Sequence, residues 1–346
     1  MKTFTLTLTL LVTVTTAALG QRNESHLERA RRILAGTPLI DGHNDLPWAI
    51  RGYAPAPRSV GEYDIAGRAS GHTDLDRLQQ GMVGAQFWSV YIPAGYADSG
   101  FARVQLEQID IARQFIDKYS GYFELAKGAS DIERIFGSGR IASMLGVEGG
   151  HAIENSLGVL RTYYDLGARY MTLTHGRNID WADSATDEER HGGLTPFGEE
   201  VVREMNRMGM LVDLSHVSPG SMSDALNVAE APVIFSHSSA KALVDHPRNV
   251  PDSILQRLPS NGGVIMVTFV RSFVSSDEAT ASLSDVADHI EHVRRVAGID
   301  HVGIGSDFDG SEAGPHGLED VSTFPALFAE LSRRGWSDDD LAKLAG

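Results

Sequence analysis

The stretch Ile40-Asp41-Gly42-His43-Asn44-Asp45-Leu46-Pro47-Trp48 follows a short apolar run, Thr37-Pro38-Leu39-Ile40, that reads as a strand. Successive strand side chains point to opposite faces, so His43 and Asp45 share a side. An imidazole nitrogen and a carboxylate oxygen side by side are two of the three ligand types that zinc takes. A single H-x-D also fits a polar strand end carrying a solvated histidine. What the later strands do therefore decides both fold and site.

Apolar runs of strand length recur at 38–45, 84–92, 141–148, 170–175, 210–216, 232–237, 264–269 and 301–307. Helical spacing separates them. Phe197 to Met208 places Val201, Met205 and Met208 on one face and breaks at Gly209. Ser218-Pro219 offers an N-cap and a first-turn proline. Leu283 to Val296 carries Val286, Ile290 and Val293 on one stripe and stops at Gly298. Eight strands alternating with helices imply parallel pairing. Closed into a ring, that is an α/β fold of the (β/α)8 TIM-barrel type, with its active site at the carboxyl ends of the strands. The competing open, doubly wound sheet lacks a G-x-G-x-x-G or phosphate-loop sequence to support it. The polar loop 180–195, with Asp183, Asp187, Glu188, Glu189 and Arg190, is long for such a connection. It reads equally as a substrate wall or a solvated excursion.

Composition sets the outer bounds. A chain of 346 residues, 42% hydrophobic with 36 glycines, suits one large barrel core with many tight turns. A net charge of −16 and the lack of any basic block argue against nucleic acid or an anionic membrane as partner. Residues 1–20 combine a basic start, an apolar middle and the small-residue end Ala18-Leu19-Gly20, as in a secretory signal peptide. The expectation is a secreted, extracellular protein whose barrel domain occupies residues 21–346. Asn23-Glu24-Ser25 is an N-glycosylation sequon, with Asn23 the acceptor. There is no cysteine, which removes disulfides, thiolate nucleophiles and sulfur-ligated metals from consideration. No second apolar stretch indicates a membrane anchor.

Six of the eight strands finish in His, Asp or Glu: His43 and Asp45, Glu148, His175, His216, His237 and Asp307. A barrel gathers those ends around one mouth. His43 and Asp45 there suit one divalent ion, His216 and His237 a second, and Glu148 a bridge between them. Two ions about 3.5–4 Å apart would jointly acidify a shared water, as in two-metal hydrolases. Nitrogen and oxygen ligands without sulfur suit zinc first, with manganese, cobalt or iron(II) as alternatives.

Seven motifs carry a resemblance. They are Asp41-Gly42-His43-Asn44-Asp45-Leu46-Pro47, Gly146-Val147-Glu148-Gly149, Leu173-Thr174-His175, Asp213-Leu214-Ser215-His216-Val217-Ser218, Phe235-Ser236-His237-Ser238-Ser239, Arg248-Asn249-Val250-Pro251-Asp252 and Gly305-Ser306-Asp307-Phe308-Asp309-Gly310. In this order, from about Leu39 onward, the chain resembles the membrane (renal-type) dipeptidase family, zinc enzymes on a barrel of the metal-dependent hydrolase type. The resemblance implies two Zn²⁺, with His43 and Asp45 on the first, His216 and His237 on the second and Glu148 on both. It implies free dipeptides as substrates, with His175 contacting the scissile carbonyl oxygen and its oxyanion. Arg248 would take the substrate carboxylate, and Asp307 would accept a proton from water and return it to the departing amine. His151 and His301, close to these motifs, are expected to be structural. Rival readings are another hydrolase of the superfamily, acting on a different amide or a cyclic amide, and a non-catalytic metal-binding barrel. Some family members carry disulfides and a lipid-anchor tail, and this chain has neither, so a homodimer would form without a disulfide. Family members usually continue through another helix beyond Leu341-Ala342-Lys343-Leu344-Ala345-Gly346, so exposed apolar surface is expected there.

Overall fold

The computed structural model describes residues 24–95 and 100–346. The leader 1–20 and Asn23 lie outside the described residues. Nine parallel strands form one sheet: β1 (Leu39–Asn44), β2 (Val83–Ser89), β3 (Phe123–Leu125), β4 (Ile141–Glu148), β5 (Ala168–Thr172), β6 (Leu211–Asp213), β7 (Ile234–Ser238), β8 (Val264–Val267) and β9 (Val302–Ile304). The order β2-β1-β9-β8-β7-β6-β5-β4 closes on itself because β2 also pairs with β4, from Ala85↔Ala142 to Ser89↔Gly146. The result is a closed eight-stranded barrel.

The strand β3 is the one that periodicity misses. It borrows the lower edge of β4, pairing Phe123↔Ile141 to Leu125↔Ser143, while β5 takes the upper edge from Leu145 to Glu148. Three residues are too few to show a period of two, and the ring count stays at eight.

Phe87, Met144, Tyr170 and Ile234 belong to one buried cluster, although β2, β5 and β7 are not neighbours. They therefore fill the barrel interior. A second, larger cluster lies between the strands and the helices, with Trp88, Phe115 and Phe123 meeting edge to face. Gly42 is required inside the ring, since a Cβ there would run into the Ser236 carbonyl oxygen and the Met266 sulfur.

The anticipated helices form at Pro196–Met208, Pro219–Val228 and Leu283–Ala297. Thr195 and Ser218 cap the first two by accepting from the N–H of Gly198 and Ser221, an arrangement worth about 1 kcal/mol each. At the other end of the chain, Leu341, Leu344 and Ala345 of the helix Asp338–Ala345 are buried. An apolar cavity of about 340 Å³ opens between that helix and Ile40, Phe87, Ile234 and Met266.

Candidate metal centre

Each strand end delivers its side chain differently. His43 sits on β1, while Asp45 has left the strand and stands at the N-cap of the helix Leu46–Arg51. Glu148 ends β4. His216 and Asp307 lie beyond β6 and β9 in left-handed backbone, at φ 68° and 65°. Such conformations cost non-glycine residues roughly 1–3 kcal/mol and persist only where the surroundings impose them. Here, the Asp307 N–H donates to the His43 carbonyl at 3.1 Å. The His216 carbonyl accepts from the Ala185 N–H at 2.7 Å. Loop 180–195 is thus a strut rather than a solvated excursion. Asp183 is fully buried at its centre and accepts from the N–H groups of His191 and Gly192, both at 2.8 Å. Ser184 Oγ donates to the His175 carbonyl at 2.5 Å.

The side chains converge on Glu148, and its two oxygens face different sets. Oε2 lies 3.4 Å from His43 Nε2 and accepts from Ser89 Oγ at 3.1 Å. Oε1 lies 3.0 Å from His216 Nε2, 3.4 Å from His237 Nε2 and 3.9 Å from His175 Nε2. Asp45 Oδ2 approaches His43 Nε2 to 3.1 Å and Asp307 Oδ1 approaches it to 3.9 Å. His216 Nε2 and His237 Nε2 stand 2.9 Å apart. Gly310 is needed beside them, because a Cβ would meet Asp45 Oδ2 and Asp307 Oδ1.

Electrostatics sort these groups. Burial opposes charge on His43, but Tyr170, Glu148 and Asp45 facing it hold its pKa well above the ordinary value. Burial pushes Glu148 up, yet His43 and His216 draw it well below the usual carboxylate range. Burial, with Arg248 nearby, takes His216 and His237 well below theirs. Asp307 is raised well above a normal aspartate by burial, and the Asp45 and Glu148 charges add to that.

The donor set fits a divalent cation. His43 Nε2 and Asp45 Oδ1 are buried with no hydrogen-bond partner among the described residues. Nitrogen lone pairs and carboxylate oxygens that converge without donors repel one another unless a cation lies between them. Three clusters of mutually close ligand atoms meet here: His43, Glu148 and His237; Glu148, His175 and His216; His43, Asp45 and Asp307.

A cavity of about 310 Å³ adjoins this centre, walled by Trp48, Tyr91, Arg248, Val270 and Phe273. Arg248 is 4% exposed. Its Nη2 donates to the His237 carbonyl at 3.3 Å, and its Nη1 has no partner among the described residues. Burial pushes its pKa down to about 10, which leaves it cationic at neutral pH. All seven residues singled out at strand ends line the centre, and Arg248 joins them. His151 and His301 stand apart, each donating to a backbone carbonyl: His151 Nε2 to that of Ile92 at 2.9 Å and His301 Nδ1 to that of Gly263 at 2.8 Å. The walls Trp48, Tyr91, Val270 and Phe273 escape sequence reasoning, since an aromatic or apolar residue near a strand end is ordinarily core.

Comparison with known proteins agrees with this geometry. A sequence model of the membrane dipeptidase family (peptidase family M19) matches residues 27–346. Dipeptidase verJ from Clonostachys rogersoniana is 47% identical over 334 residues, covering 93% of this chain and 85% of that protein. Among solved structures, dipeptidase AC, a metallopeptidase of family M19, superposes with TM-score 0.81 at 28% identity, covering 89% of this chain and 95% of that one. A metallopeptidase from Rhodobacter sphaeroides, bound to a phosphinate mimic of the dipeptide L-Ala-D-Ala, superposes with TM-score 0.80 at 26% identity, covering 89% of this chain and 96% of that one.

Proposed function

The chain belongs to the membrane dipeptidase family of metal-dependent dipeptidases, and on that footing we propose that it hydrolyses free dipeptides with two zinc ions that share Glu148. His43 and Asp45 would hold one ion and His216 and His237 the other. The observation that carries this reading is the division of labour on Glu148, one oxygen facing His43 and the other facing His216 and His237. When bound, the ions supply Lewis acidity and make water a nucleophile near neutral pH.

The remaining roles belong to the chain. Asp307 takes a proton from the attacking water and returns it to the departing amine. Its place at the mouth, with Oδ1 3.9 Å from His43 Nε2, puts it beside the ion that His43 would hold. His175, whose side chain is 30% exposed at the cavity wall, donates a ring N–H toward the oxyanion that develops on the scissile carbonyl. Arg248 presents its unspent Nη1 to the substrate's free carboxylate, a charged contact that selects a C-terminal residue directly after the cleaved bond. Trp48, Tyr91, Val270 and Phe273 exclude water around the two side chains of the substrate.

The Rhodobacter sphaeroides neighbour, with its bound dipeptide mimic, supports this substrate class. Secretion after removal of residues 1–20, and a glycan on Asn23, complete the proposal. No helix among the described residues is long and apolar enough to cross a membrane. The discriminating experiment assays unblocked dipeptides beside their C-terminal amides. Cleavage of the free acids alone supports the Arg248 role, and equal cleavage of the amides removes it. N-terminal sequencing and deglycosylation of protein recovered from culture medium test the leader and the sequon.

A further inference from the structure

Two fully buried aspartates under the mouth take no part in the chemistry above: Asp41 and Asp213. Both tie down a serine on a neighbouring strand end. Asp41 accepts from Ser306 N–H and Ser306 Oγ, each at 2.7 Å. Asp213 accepts from Ser236 N–H at 2.8 Å and Ser236 Oγ at 2.6 Å. The pairs differ in what lies beyond the serine. Ser306 Oγ is followed by the backbone N–H of Phe308 at 3.3 Å. Ser236 Oγ is followed by an imidazole nitrogen, His237 Nδ1, at 2.8 Å.

That difference has a chemical consequence. A carboxylate only accepts hydrogen bonds. Asp213 Oδ2 is faced by two hydroxyls, Thr172 Oγ1 at 2.5 Å and Ser236 Oγ, while Oδ1 is faced by the N–H groups of Ser215 and Ser236. Ser236 therefore spends its single proton on Asp213 and meets His237 with a lone pair. His237 Nδ1 must then carry the ring hydrogen, which leaves Nε2 bare, 2.9 Å from His216 Nε2 and 3.4 Å from Glu148 Oε1. A ring nitrogen that bears hydrogen cannot bind a metal, so the partner on the far nitrogen decides whether a histidine is a ligand.

We propose that Asp213 and Ser236 are positioning residues that fix the ring tautomer of His237 and thereby prepare Nε2 as a metal ligand. The inference rests on the ligand allocation of the preceding subsection. Replacing Asp213 with asparagine turns an acceptor into an amide N–H₂ that donates to Ser236 Oγ. The serine proton is then released toward His237 Nδ1, which favours the opposite tautomer.

The test is ¹⁵N-histidine NMR of the metal-free full-length protein, with the His237 signals assigned by loss in His237→Gln. The wild type should show His237 as the Nδ1–H form. Asp213→Asn should shift it toward the Nε2–H form. Ser236→Ala, a one-atom deletion that leaves Asp213 its other three donors, should abolish the single-tautomer state. Zinc titration under chelator competition should show about 10–100-fold weaker binding of one of the two ions in both variants. Ser306→Ala, the matched pair without a histidine, should leave the His237 tautomer unchanged. An Nε2–H form in the wild type overturns the inference, as does an unchanged tautomer with unchanged zinc affinity in Ser236→Ala. A wild type that binds no zinc defeats the ligand allocation instead, and the tautomer measured without metal keeps the two failures distinct.

Discussion

The histidines at the mouth of the barrel and those in its wall are similar by type and contrast in what their nitrogens do. His289 is 1% exposed and His237 is 1% exposed. In the wall, both nitrogens of His289 are spent on backbone: Nδ1 accepts from Ala240 N–H at 3.0 Å, and Nε2 lies 3.3 Å from the Val274 carbonyl. His151 likewise gives Nε2 to Ile92. At the mouth, one nitrogen of His43 and one of His237 are taken by Tyr170 and Ser236, and the other is directed at Glu148. Burial does not make a histidine a ligand. A ring nitrogen turned toward a shared carboxylate rather than toward backbone does.

The contrast breaks most sharply at Glu148. Glu148→Gln removes the charge that both halves of the mouth face, so two-metal binding and turnover should fall together, by about 10⁴-fold or more in kcat given several kcal/mol of Lewis-acid stabilisation. Two ions per chain in that variant, measured by elemental analysis, would show that the mouth does not depend on the bridge. Asp307→Asn should keep both ions and lose about 10²–10⁴-fold in kcat. Unchanged kcat would remove its proton-transfer role.

Arg248→Lys should keep both ions and lower kcat/KM for free dipeptides about 30-fold or more, corresponding to at least ~2 kcal/mol for a buried charge contact. Equal activity in wild type and variant would detach the guanidinium from the substrate carboxylate. Metal removal should destabilise the protein, since zinc at a hundredfold excess over Kd adds about 2.7 kcal/mol per site to the folded state. Urea unfolding with and without chelator reads this directly, and identical midpoints would contradict it.

The wall gives an effect with a sign of its own. Burial pushes His289 down to about 4, against about 6.5 in an unfolded chain. The unfolded state therefore binds the extra proton first. The stability that neutral His289 contributes is complete above pH 6.5 and is lost as pH falls toward 4, by up to about 1.4 kcal/mol per unit. In metal-free protein, His289→Gln should flatten the acid loss between pH 6.5 and 4.5 while dipeptide turnover of the metal-loaded enzyme stays near wild type. An unchanged acid slope would show that this histidine does not resist protonation.

Much of the mouth is legible in the sequence. His43 and Asp45 stand two residues apart at the end of one strand, and Glu148, His216 and His237 end apolar runs that a barrel must bring together. The supporting contacts were not legible. Whether Asp213 reaches Ser236, or Tyr170 reaches His43, depends on register between strands and on which way a hydroxyl turns, neither of which leaves a period in the sequence. Strand β3 was hidden by its length. Loop 180–195 reads equally as a substrate wall or a solvated excursion, because nothing in its composition shows that Asp183 folds inward to collect the backbone N–H groups of its own loop.

The shared carboxylate is tested most directly by anomalous diffraction at the zinc edge on crystals of the zinc-loaded enzyme. Two peaks about 3.5–4 Å apart are expected, one beside His43 and Asp45, the other beside His216 and His237, with Glu148 touching both. A single peak, or two peaks of which only one contacts Glu148, would contradict the centre described above.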